Sequence, residues 1–76
     1  MERAEFIAHI ETMGFAKKTE KVWARSGFHA DRFNITGKLR VYYEVKNGRS
    51  WIRKRRGWIS NLSVGDNGRI NGFEPV

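Results

Sequence analysis

Cysteine is missing from the 76 residues. No disulfide or thiolate metal site can therefore brace the fold, and redox chemistry says nothing about compartment. Acid is scarce: eight Asp and Glu stand against fifteen Lys and Arg, a formal charge of +7. No apolar run approaches the roughly 18 residues of a membrane span, and no signal-peptide pattern opens the chain. A soluble intracellular protein, cytoplasmic by default, is the expectation, and the Asn34-Ile35-Thr36 and Asn61-Leu62-Ser63 sequons then read as accidental. The vocabulary of catalysis is also short. There are two histidines, His9 and His29, and no glycine-rich loop of phosphate-binding or dinucleotide spacing. Asp66-Asn67-Gly68 starts like a calcium loop, but Ile70 and Asn71 stand where a ligand and the invariant glycine belong. Ser26, His29 and Asp31 are close in sequence, which is poor ground for an acid–base site. No enzymatic activity, metal or cofactor is expected.

What the chain does have is concentrated between Lys38 and Trp58, which holds eight basic residues and one acid. Positive charge gathered on a small chain is the footprint of a polyanionic partner, a phosphate backbone or an acidic protein. Asn47-Gly48 lies between two runs rich in β-branched and aromatic residues, the signal for a two-residue type I′ hairpin. That turn sets Glu44 opposite Trp51, Tyr43 opposite Ile52, Tyr42 opposite Arg53 and Arg40 opposite Arg55. Side chains alternate along a strand, so the hairpin has two surfaces. One carries Leu39, Val41, Tyr43, Val45 and Ile52. The other carries Arg40, Tyr42, Trp51, Arg53 and Arg55, with Glu44 as its only acid.

The remainder supplies a helix and further strands. Phe6, Ile10 and Met13 recur at helical spacing with Ile7 beside them, predicting a helix over residues 2–13. Gly14 ends it in the left-handed conformation, and Phe15 can fold back on the last turn. Residues 19–26 alternate, with Val22 and Ala24 assigned to the apolar side and Lys21, Trp23 and Arg25 to the other. Residues 31–35 resume with Phe33 and Ile35 inward, and a three-residue loop with Gly37 left-handed keeps them on the face of Val41. Past Ile52 the alternation would aim Lys54 and Arg56 at the core. The strand is therefore expected to end near Lys54 and turn through residues 55–57. Trp58, Ser60, Leu62 and Val64 are then expected along one side of a return strand, with Trp58 in the core. A turn over residues 65–68 and a short edge strand at 69–73 close the chain. The expected fold is α+β: one N-terminal helix on one face of a four- or five-stranded antiparallel sheet, as a single domain.

One helix covers one face, so the opposite face stays open. There the sequence gathers Lys21, Trp23, Arg25, Arg40, Tyr42, Trp51 and Arg53, with Lys54, Arg55 and Arg56 in an adjoining loop. Flat aromatics stack on unpaired bases while guanidinium groups hold phosphates, so these residues point to nucleic acid, single strands slightly preferred. The alternative for the tryptophans is core packing, with arginine stems lying over them. The alternative for the function is a small inhibitor or accessory module that docks on an acidic protein surface, since Trp, Tyr and Arg also dominate protein hot spots. In outline, the opening helix, the Gly14-Phe15 stop and the following strands resemble the HicA-type messenger-RNA interferases. That family carries a glycine-serine-histidine motif on its early strands. Ser26-Gly27-Phe28-His29 has another order and spacing, and no second helix is evident, so the family's activity is not carried over.

Overall fold

Helix α1 spans Arg3–Thr12 and stops as expected. Gly14 takes φ +96°, and the Phe15 N–H donates back to the Ile10 carbonyl at 3.1 Å, closing the helix end and turning Phe15 inward. In the computed structural model, which describes all residues from Met1 to Val76, the chain then forms eight strands. They are β1 (Ala16–Lys17), β2 (Val22–Arg25), β3 (Asp31–Thr36), β4 (Arg40–Asn47), β5 (Ser50–Trp58), β6 (Ser63–Val64), β7 (Ile70–Asn71) and β8 (Glu74–Pro75). A single 3-10 turn, Ile59–Asn61, follows β5. Six strands make one antiparallel sheet in the order β1-β2-β3-β4-β5-β8, while β6 and β7 form a separate ribbon. The fold is α+β with the helix at the N-terminus. The sheet has more strands than expected because β1 and β8 add short edges from segments too brief to show an alternation.

The core lies between α1 and one sheet face. It comprises Phe6, Ile10, Phe15, Trp23, Phe33, Ile35, Val41, Ile59 and Leu62, with Met13, Tyr43 and Phe73 packed at its margin. Phe33 is its hub, 5.3 Å from Phe6 ring to ring and 4.7 Å from Phe15. Trp23 pairs with Phe33 across β2 and β3 and is only 3% exposed. The parity assigned to β2 is thus reversed. An indole offers more area to bury than either Val22 or Ala24, and the core of a short chain takes the larger residue. Leu39 and Ile52, expected on the apolar face, are exposed. Leu39 sits in the three-residue loop between β3 and β4 at φ +65°, and Ile52 lies near the hairpin tip, away from α1.

The central hairpin differs from expectation in its turn. Asn47 pairs with Ser50, and Gly48 alone has positive φ, which is the pattern of a type II′ turn over Gly48-Arg49. Glu44 therefore faces Arg53 rather than Trp51. A slip of two residues preserves every face, so Trp51 and Arg53 stay where alternation put them. The register then shifts between Tyr43 and Glu44, where Lys54 is the unpaired extra residue of a β-bulge. The bulge lets β5 run on to Trp58, so Arg53–Arg56 is a strand and not a loop. It also exchanges the faces beyond it: Arg55 pairs with Tyr43, whereas Arg56 pairs with Tyr42 and Trp58 with Arg40. Gly57 takes the core-facing position opposite Val41. A Cβ there would sit 3.3 Å from a Leu62 methyl and 3.5 Å from the Phe73 ring. No return strand follows. Ile59 and Leu62 plug the core from the 3-10 turn and its exit, and the 65–68 turn joins β6 to β7 as expected.

Candidate functional site

The sheet face away from α1 is set by pairing. Ala24, Arg32, Glu44 and Arg53 form one row across β2–β5, and Asn34, Tyr42 and Arg56 form the next. Lys46 with Trp51 and Arg40 with Trp58 bracket these rows. Each ring on this face carries a guanidinium. The Arg32 guanidinium lies 4.3 Å from the Trp51 ring centre, that of Arg53 lies 3.9 Å from Tyr42, and that of Arg40 lies 4.1 Å from Trp58. Such cation–π contacts are worth about 0.5–1 kcal/mol at exposed sites and hold long side chains in one pose. Glu44 ties two of them together. It is 3% exposed, and its carboxylate accepts from Arg32 Nε at 2.7 Å and from Arg53 Nε at 3.0 Å. Its burial comes from the arginines lying over it. Glu74 on β8 holds the other end, 3.4 Å from Arg56 and 3.9 Å from Arg40. The result is a ladder of rings and guanidiniums across β3, β4 and β5.

Three of the residues assigned to this face lie elsewhere. Trp23 is core, as described. Arg25 pairs with Asp31 on the helix side of the sheet, where its Nε donates to Oδ1 at 2.7 Å, its Nη1 donates to the Met13 carbonyl and its guanidinium lies 4.3 Å from the Phe15 ring. Arg55 is on the helix side opposite Tyr43, moved there by the bulge. Lys21 is exposed just before β2, and Lys54 is exposed at the bulge. Arg40, Tyr42, Trp51, Arg53 and Arg56 do share the open face, and Trp51 is half-buried there beneath Arg32. Trp58, expected in the core, joins them. Arg32 was missed, although the parity that put Phe33 and Ile35 inside put Arg32 outside.

Comparison with protein-family models, with curated proteins and with solved structures finds no match to this chain. Its chemistry must therefore be read from its own side chains. Asp31, buried in the helix-side layer, is engaged by Arg25 and by the Tyr43 hydroxyl, which donates to Oδ2 at 2.7 Å. Its hydrogen bond to the Asp31 side chain raises the Arg25 pKa, and burial followed by that same carboxylate raises Tyr43 to about 12. With its carboxylate committed this way, Asp31 is not a partner for His29, which is exposed and packs edge-on against Phe28 at 4.7 Å. No three His, Asp or Glu side chains converge on a common point, and no helix is long and apolar enough to cross a membrane.

Proposed function

We propose that this chain is a small non-enzymatic nucleic-acid-binding domain that lays its helix-free sheet face along a phosphate backbone. The supporting observation is the ring–guanidinium ladder. Arg32, Arg40, Lys46, Arg53 and Arg56 share that face with only Glu44 and Glu74. Glu2, Glu5 and Glu11 sit at or in α1, on the opposite side. Guanidiniums held over rings keep N–H groups in place before a ligand arrives, which lowers the ordering cost of binding. The charge separation orients the molecule toward a polyanion, and the rings add surfaces on which bases can stack.

Docking on an acidic protein surface is the second reading, favoured by Phe28, which is 96% exposed on the loop before β3. Fluorescence anisotropy with short labelled DNA and RNA strands separates the two. The parent should bind more tightly than about 10⁻⁴ M at physiological salt. Lys46→Glu with Arg56→Glu should lose more than about tenfold, while Arg69→Glu, outside the ladder, should bind like the parent. Absence of binding to any strand would leave the acidic-surface reading.

A further inference from the structure

Beside the ladder, a cleft of about 440 Å³ opens on the same sheet face, within the roughly 300–1,000 Å³ range of small-molecule sites. Its floor is low because the residues there are alanines, Ala24 on β2 and Ala30 just before β3. One wall is Arg32 with Trp51, already in contact with each other, and the opposite wall is the β1–β2 connection at Lys18 and Thr19. Lys46 closes the hairpin end. No acidic residue lines the cleft. Lys18 and Lys46 have no acidic partner, whereas Arg25 at one end is already committed to Asp31. The cleft therefore combines a cationic–aromatic wall, a small-residue floor and two ammonium groups without a carboxylate, that of Lys46 lying 5.9 Å from the Trp51 ring centre.

From this we infer that the cleft takes a single unpaired nucleotide, its base against the Arg32–Trp51 wall over Ala24 and Ala30, and its phosphates held by Lys18 and Lys46. The inference rests on reading the sheet face as a nucleic-acid surface, and it deepens that reading by naming the strand state. A base in a duplex is stacked between its neighbours and cannot enter a cleft of this kind without being unpaired. The ladder alone would hold either form through its phosphates. Because Arg32 belongs to both the wall and the ladder, a strand seated in the cleft runs on toward Arg53 and Tyr42.

The test uses a short labelled oligothymidylate and a duplex of matched length. Ala24→Leu fills the floor from the open face of the sheet, leaving the ladder residues in place. It should cut single-strand affinity by about tenfold or more, the scale of one lost stacking contact, and leave duplex affinity unchanged. Amide shift mapping of the parent with the oligothymidylate gives an answer that does not depend on how the variant folds. Shifts at Ala24, Ser26, Gly27 and Ala30 support the inference. Shifts confined to Tyr42, Arg53 and Arg56, or equal losses for both probes in Ala24→Leu, would overturn it while the backbone-binding role stands. Absence of binding by either probe would remove both.

Discussion

Tyr43 donates a hydrogen bond to Asp31 on the helix side of the sheet, and alkaline titration of the phenol can detect that contact. Tyr43 is raised from 10.0 to about 12, first by burial and then by its hydrogen bond to Asp31. The unfolded chain thus gives up this proton at lower pH than the folded one. The stabilisation is whole below pH 10 and drains as the pH rises through 12. Thermal melts should show Tyr43→Phe losing less stability than the parent across that window. A parallel decline in both proteins would disprove the assignment. Asp31→Asn, which leaves Arg25 without its counter-ion, should cost roughly 1–3 kcal/mol, less than the ~3–5 kcal/mol of a fully buried broken pair because Arg25 is partly solvated. On the open face, Trp51→Ala and Arg53→Gln, which keeps a donor for Glu44, should both stay folded and both weaken binding. The loss in Trp51→Ala should persist at high salt and the loss in Arg53→Gln should shrink. Trp51 was legible in the sequence because alternation from the hairpin turn decides its face. Trp23 was not, because four residues of β2 alternate equally well in either sense, and the choice was made by area buried against Phe33.

Among the elements, α1 and β5 decide whether the face exists. Ile10 is fully buried between the helix and the sheet, so Ile10→Ala should cost on the order of 2–5 kcal/mol. In a chain of this size that would largely unfold it, and a melt that barely moves would contradict the helix placement. Gly57→Val should be as severe, since the branched side chain would meet Leu62 and Phe73 across the core. The helix, its glycine stop and the β3–β4 loop could be read from spacing because each depends on neighbours in sequence. The bulge at Lys54 could not. The rule that charged side chains avoid the core correctly flagged a break in alternation there. It could not tell a turn from one extra residue, and that choice set the faces of Arg55, Arg56 and Trp58. The segment after Trp58 was obscure for a related reason: Ile59 and Leu62 are held by contacts with distant strands, not by a local period.

At the scale of the whole molecule, the central claim is electrostatic. A formal charge of +7 is arranged so that the uncovered sheet face and its hairpin are basic while the helix carries acids. Composition announced the charge, and hairpin alternation announced the face. Neither could show that the rings lie under arginines, because that depends on which residues stand opposite after the turn and bulge are set. The most direct measurement is affinity for a short single strand as a function of salt concentration. If the ladder holds phosphates, log affinity should fall linearly with log salt, with a slope near −0.7 for each phosphate contacted on a single strand, and the Lys46→Glu, Arg56→Glu variant should show a shallower slope. A slope near zero, or a variant whose slope matches the parent, would contradict the account.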